Sequence, residues 1–290
     1  MGFQVGKMNK KSLFKFQKNT SFLKKLKILL LLASCTCYSA AQNLYTCQDS
    51  ICHFQIVTDS LFNSPQRINL LLINKKSLPD YKLEFAYQTS ELLSTSQMAK
   101  DHGAIAGING SFFDMDKGGS VSYFEKDDSV INRTRPPGLK WAVSDSLINA
   151  AVVLRKDHSL VLEHASPEQF YEKSDKEAFG MVTGPLLIKD SIPQRLPDKS
   201  FTHKRHPRTC VGITRESIIF ICIDGRSDQA AGMSLIEVQD FLLDLGCSDA
   251  INLDGGGSTS MWIMEKGILN VTSEYTGEWP VSYALFLLNK

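Results

Sequence analysis

The stretch from Thr209 to Gly257 constrains the fold more than any other part of this 290-residue chain. "TCVGIT" and "SIIFICID" are two apolar runs separated by the short turn Arg215-Glu216, the pattern of a β-hairpin. "GMSLIEVQDFLLDLG" then predicts one helix. Ser234 is its N-cap, Glu237 completes a capping box, and Leu235, Val238, Phe241, Leu242 and Leu245 form one apolar face. Gly246 ends it. A short buried strand, Ala250–Leu253, follows and runs into Asp254 and three glycines.

The rest of the chain reads as short strands with few helices. Phe54–Val57, Ile68–Ile73 and Leu83–Tyr87 have β character. A helix is expected over Glu91–Asp101 with Ser90 as N-cap, leading into Ala104–Ile108. Strands are expected at Val121–Phe124, Leu139–Val143, Ala150–Leu154 and Leu160–Leu162, with Pro136-Pro137-Gly138 breaking the chain. Asp190–His206 reads as a long surface loop. Hairpins with few helices imply an α+β domain built on a mixed or antiparallel sheet, not a doubly wound one.

The N-terminus carries an export pattern. Residues 1–41 hold eight Lys and no acidic residue. The apolar run Ile28–Ala33 is followed by Ser39-Ala40-Ala41, the layout of a signal peptide cleaved before Gln42. A lipobox, "LASC" at Leu32–Cys35, is the alternative and would tether the protein to a membrane through Cys35. Either way the destination is periplasmic or extracellular, and the chain has a bacterial look. Without that segment the charge falls from +1 to −7, with 24 basic against 31 acidic residues. No basic block remains, which excludes a nucleic-acid footprint. Residues 42–290 are expected to form a single domain.

Cys47 and Cys52 lie close enough in sequence to close a small loop; Cys210, Cys222 and Cys247 sit in or beside apolar runs as small hydrophobes. No Cys/His metal spacing occurs, and no metal or cofactor is expected for catalysis, although a structural Ca²⁺ stays compatible with the Asp residues. A set of Asp114, Asp116, Asp224 and Asp254 as oxygen ligands is the metal-dependent alternative.

Four clusters place glycine beside polar groups: "INGSFFDMD", "HPRTCVG", "IDGRSDQAAGMS" and "NLDGGGSTS". In the last, Asp254 leaves a buried strand, and Gly255, Gly256 and Gly257 can present N–H groups as an anion nest beside Ser258. An ordinary glycine-rich turn explains that segment equally well. Asp224 closes a second strand in the same way, and a carboxylate pair of this kind suits glycoside hydrolysis. Arg208 could grip phosphate oxygens bidentately. His206 could move a proton, although a loop His before Pro is more commonly just exposed. Phe112 or Phe113 could stack on a sugar.

Together these clusters resemble the phosphodiester glycosidase family, most strongly in "DGRSDQAAGMSLIEVQDFLLDLGCSDAINLDGGGSTSM", and over about residues 100–290. The resemblance implies a hydrolase that removes a sugar, N-acetylglucosamine in the animal enzyme, from a sugar-phosphate diester. It implies functional positions at Asn109, Asp114, Arg208, Asp224, Arg226, Asp254, Gly255–Gly257 and Ser258, with Thr183 and Gly184 lining the same cleft. Among these, Asp254 is the first choice for the reacting carboxylate and Asp224 the second, with Asp114 a third catalytic candidate. Ser111 departs from the family's usual second glycine, and "EWPVSYALFLL" lacks the expected Arg-Pro. A surface protein that binds glycans or sugar phosphates without cleaving them is the competing reading.

Overall fold

The computed structural model describes residues 50–273 and 277–290. The export segment, Cys35 and Cys47 lie outside them. Cys52 is disulfide-bonded, and Cys210, Cys222 and Cys247 are free and buried. Residues 49–290 form one compact unit.

The described residues hold seventeen strands, four short α-helices, of which α2 is Glu168–Glu172, and two 3₁₀ turns. The largest sheet has seven strands in the order β1 (Ile51–Leu61), β2 (Ser64–Asn74), β13 (Ser217–Ile223), β12 (Arg208–Ile213), β14 (Asp249–Asn252), β10 (Leu186–Lys189) and β11 (Ile192–Pro193). A second sheet runs β16 (Gly267–Ile268), β15 (Met261–Ile263), β4 (Ala106–Asn109), β17 (Tyr283–Asn289), β3 (Tyr81–Tyr87). The third runs β6 (Ser129–Asn132), β5 (Phe124–Lys126), β9 (Glu177–Thr183), β7 (Ala150–Arg155), β8 (Leu160–His164). Every ladder pair among them is antiparallel.

Side-chain alternation explains the layers. In β13, Phe220 and Cys222 point into the main core, which also holds Phe85, Ile108 and Leu285 from the second sheet and Phe124, Val152 and Phe179 from the third. Ile219, Ile221 and Ile223 point the other way, onto Leu235, Val238 and Leu242 of helix α4 (Leu235–Asp244). A strand buried on both faces needs a continuous apolar run, and "SIIFICI" is one.

The hairpin, the capping box and the strand before Asp254 occur as the sequence predicts. The Ser234 side chain accepts from the Glu237 amide, the Glu237 carboxylate accepts from the Ser234 amide, and Gly246 takes φ +81°. Three expectations differ. The first helix, α1, spans Thr95–Asp101 with Ser94 as its cap, not Glu91–Asp101 after Ser90. Leu93 and Val281 exchange both backbone hydrogen bonds, which holds the chain extended up to Ser94. Leu139–Val143 forms turns rather than a strand. Its amides bond locally, Leu139 to Pro136 and Ala142 to Leu139, and Trp141 takes φ +65°. The strand expected at Val121–Phe124 begins only at Phe124, because the Ser120 and Ser122 hydroxyls bond nearby carbonyls instead. The long loop 190–206 holds β11 and a one-turn helix, α3 (Ser200–His203). The strands not anticipated from sequence include β9 and β10, which precede that loop and are joined through a cis Gly184-Pro185 bond.

Candidate active site

The site is built at one end of the large sheet. Strand β12 lies between β13 and β14 and runs antiparallel to both. Both neighbours therefore finish where β12 begins. Asp224 directly follows β13, and Asp254 follows β14 after one intervening residue, Leu253. Two strand spacings separate them, roughly 10 Å at the backbone.

Asp254 is held from both sides of its peptide. Its amide donates to the Gly110 carbonyl at 3.0 Å, and the Asn109 side-chain amide donates to its carbonyl at 2.7 Å. The carboxylate accepts hydrogen bonds from the Ser258 hydroxyl and the Gly255 amide. Burial outweighs those bonds and pushes the carboxyl up to about 7. The residue as a whole is only half-buried, at the open end of the sheet.

Asp224 is more deeply placed, 2 % exposed. Its amide donates to the Arg67 carbonyl, and its Oδ2 accepts from the Val271 amide at 3.0 Å and lies 3.4 Å from Arg67 Nε. Among the described residues Oδ1 has no hydrogen-bond partner. Burial pushes this carboxyl up to about 6 against the Val271 amide and Arg67. Asp224 and Asp254 have no hydrogen-bonding partner in common.

The glycines act chiefly as spacers. A Cβ on Gly255 would stand 2.7 Å from the Pro207 carbonyl oxygen, and one on Gly225 would stand 2.7 Å from the Pro207 nitrogen. Both Asp-Gly steps thus press against the start of β12. The Gly256 amide donates to Pro207 O at 2.9 Å, and Gly256 has φ +62°. Residues Gly256–Ser258 form one turn of 3₁₀ helix. The amides of Gly255 and Gly256 are therefore committed to protein acceptors, which narrows the anion nest expected from Gly255–Gly257.

Several other positions hold the frame. The Asn109 side chain is fully buried, and its oxygen accepts from Thr209 Oγ1 at 2.6 Å and from the Ser260 amide at 3.0 Å. It joins β4 to the ends of β12 and β14. Asp114 accepts from the amides of Asp116 and Lys117 and from Arg135 Nη1 at 2.7 Å. Burial works to raise its carboxyl, but Arg135 and those amides hold it below the ordinary range. Both oxygens are occupied, so Asp114 fastens its loop. Thr183 accepts from Ser111 Oγ at 2.8 Å, and the Gly184 carbonyl accepts from Asn252 at 3.0 Å. Phe113 is core, whereas Phe112 is half-buried and edge-on to Phe201.

Arg208 is wholly buried. Nε donates to Met233 O, and Nη2 donates to the carbonyls of Phe201 and Lys204. Its guanidinium lies 4.7 Å from the Phe201 ring centroid. Nη1 has no hydrogen-bond partner among the described residues. Burial lowers its pKa to about 10, so it stays charged. Neither a solvated edge nor an open phosphate grip describes this side chain.

Among the described residues no three His, Cys, Asp or Glu side chains gather to hold a metal ion. Asp114 pairs with Arg135, Asp116 with Lys140, and Asp224 with Arg67, so the four Asp residues do not meet as a ligand set. Sequence reading missed Arg67 and Val271, which meet Asp224, and Thr209, which meets Asn109. Pairing of β2 with β13 brings Arg67 to Asp224, and a sequence carries no local signal for that.

Comparison with known proteins agrees with this architecture. The phosphodiester glycosidase family matches residues 102–288. The chain is 26% identical over 182 residues to the N-acetylglucosamine-1-phosphodiester alpha-N-acetylglucosaminidase of Bos taurus, covering 58% of this chain and 32% of the relative. It is 32% identical over 98 residues to the SPbeta prophage-derived uncharacterized protein YomE of Bacillus subtilis, covering 33% of this chain and 15% of the relative. It thus spans about a third or less of these curated relatives. The catalytic domain of the zebrafish N-acetylglucosamine-1-phosphodiester alpha-N-acetylglucosaminidase, auto-inhibited by its pro-peptide, superposes with a TM-score of 0.63 at 20% identity, covering 83% of this chain and 82% of that one. A hypothetical protein from Synechocystis gives 0.61 at 17%, covering 83% and 62%. The family match over residues 102–288 takes in more than half of the sequence, and the chain belongs to the phosphodiester glycosidase family.

Proposed function

We propose that the chain is an exported hydrolase that cleaves a sugar, N-acetylglucosamine by analogy with the animal relatives, from a sugar-1-phosphodiester. The observation that carries this reading is Asp254. It is fixed through its backbone, partly accessible, and held near pH 7 by burial, where a carboxyl can gain or lose a proton during turnover. Phosphate is a good leaving group, so the main demands are a carboxylate at the anomeric centre and positive charge for the departing phosphate. Asp254 supplies the first. Asp224 takes the second carboxylate role, and the Gly255–Ser258 turn with an arginine receives the phosphate. The roughly 10 Å between the two strand ends leaves room for a water between carboxylates.

A non-catalytic sugar-phosphate binder is the second reading. It is favoured by the burial of Asp224 and by the absence of any shared partner with Asp254. One assay separates the two. A synthetic N-acetylglucosamine α-1-phosphodiester is incubated with wild type and Asp254→Asn, and free sugar and phosphomonoester are measured together. Hydrolysis predicts both products from wild type and a loss of about a thousandfold in the variant. Binding of the diester with no product from wild type would sink the enzymatic reading.

A further inference from the structure

We infer that Arg67, on β2, is a positioning residue for Asp224: its charge favours the ionised form of that buried side chain, which the second carboxylate role requires. Only that role rests on the sugar-phosphodiester reading of the site. Arg67 lies ahead of residues 102–288, which carry the family match. Register brings it to Asp224. Ile68 pairs with Ile223, so Arg67 and Asp224 are the next opposed positions of the same antiparallel ladder, and the Asp224 amide donates to the Arg67 carbonyl at 2.9 Å. Opposed residues of a ladder present their side chains on one face. The two side chains meet there, with Arg67 Nε 3.4 Å from Asp224 Oδ2.

The surroundings make that contact decisive. The Asp224 side chain is buried, and two protein groups attend it, the Val271 amide at 3.0 Å and Arg67, both at Oδ2. Oδ1 is buried and receives no donor among the described residues. A carboxylate with one oxygen unserved depends for its charge on a neighbouring cation. The other charged or titratable groups nearby are directed elsewhere or are neutral. Arg226, two residues on, is turned toward Gly256. Arg208, at the start of β12, is spent on the carbonyls of Met233, Phe201 and Lys204. His206 is held below its ordinary pKa by burial and by Arg208 and Arg226. Cys222, one pleat back on β13, is pushed up by burial and stays neutral. Asp254 stands roughly 10 Å away at the end of β14. Val271 brings an amide and no charge. Arg67 Nε has no hydrogen-bond partner among the described residues, and its side chain is 32% exposed, so it delivers charge to Asp224 and not a directed hydrogen bond. Burial raises the Asp224 carboxyl to about 6, while Val271 and Arg67 work to lower it.

The test uses the full chain and follows the Asp224 carboxyl carbon by NMR across a pH titration, with the resonance assigned through Asp224→Asn. In wild type the midpoint should lie at about 6. Arg67→Gln should move it up by about 1, roughly a tenfold tighter hold on the proton. Arg67→Lys keeps the charge and should stay close to wild type. Hydrolysis of the diester is read alongside. In Arg67→Gln kcat should fall roughly fivefold at about pH 6 and come nearly level with wild type at about pH 8, with KM unchanged, because Arg67 acts through Asp224. A midpoint unmoved by Arg67→Gln overturns the inference, as does one that moves as far in Arg67→Lys, or a loss of kcat equal at the two pH values. If Arg67→Gln does not fold, the same substitution is made in Asp224→Asn, where no buried charge is left to serve. Folding of that double variant supports the inference, and its failure to fold overturns it. A midpoint that moves as expected while no protein releases product keeps the assignment of Arg67 and removes the hydrolytic reading.

Discussion

Asp254 should cost the protein stability at neutral pH, and its replacement by Asn should recover some of it. The carboxyl moves from an ordinary value of 3.8 to about 7 on folding. Between these values the folded state keeps a proton that the unfolded chain has released, so stability falls as pH rises through this window. Below 3.8 the penalty is absent, and above about 7 it is complete. The gap of about 3.2 at 1.36 kcal/mol per unit sets an upper bound of about 4 kcal/mol. Asp254 reaches solvent in part, and water screens the charge, so about half of that is expected. Asn is uncharged at every pH and can still accept from Ser258 and Gly255. Asp254→Asn should therefore melt about 4–8 °C above wild type at pH 8. The gain should vanish by pH 4. Asp224 tilts the pH dependence of both proteins in the same direction, so the difference between them isolates Asp254. Thermal unfolding followed by circular dichroism from pH 4 to 8.5 reads the result. A gain independent of pH, or a variant less stable than wild type at pH 8, would refute the claim that burial of this charge dominates.

Other residues give further outcomes. Asn109→Ala strands the Thr209 hydroxyl and the Ser260 amide in the core and should lower stability by about 2–4 kcal/mol, measured by denaturant unfolding. Gly255→Ala drives a Cβ toward the Pro207 carbonyl at 2.7 Å and should cost about 1–3 kcal/mol; an unchanged melting temperature would dismiss the close-approach argument. Asp114 has the opposite sign from Asp254: its folded carboxyl is depressed, so its contribution is present above about 3.8 and is lost as pH falls below it. Asp114→Asn should destabilise at pH 7 and be nearly neutral at pH 3, read by melting at the two values.

The parts of this fold that were legible in the sequence are those written locally. The capped helix over Leu235–Asp244 has its N-cap, N3 partner and C′ glycine within 13 residues, and the β12–β13 hairpin needs only two apolar runs and a turn. The site was legible as a set of residues, not as a set of roles. Asn109 looks like a sugar ligand in sequence, yet it fastens to partners 100, 145 and 151 positions away. Arg208 looks like a surface cation because nothing local says that Phe201, Lys204 and Met233 will close over it. The start of α1 was misplaced because Ser90 and Ser94 are equally good caps. The choice was made by Val281, which holds Leu93 extended from the far end of the chain.

The three consecutive glycines illustrate how one motif can serve two physical ends. Read alone, they suggest a cradle of free amides. In the fold, Gly255 lets its turn touch the Pro207 carbonyl, and Gly256 makes room for the Arg226 guanidinium. A side chain at Gly255 would push the turn off the end of β12, and Asp254 would move with it; one at Gly256 would meet only the movable end of Arg226 but would have to adopt φ +62°. The Asp254 backbone is latched to Asn109 and Gly110 only 2.7–3.0 Å away, so that displacement would break the latch as well. Close approach therefore comes first, and any anion binding depends on it: the turn must lie flat against Pro207 before Arg226 can rest on it and before Asp254 can be both enclosed and reachable. The same enclosure raises the Asp254 carboxyl and costs stability. A carboxylate kept in such a place against its solvation preference is more simply explained by a task on a substrate than by any service to the fold.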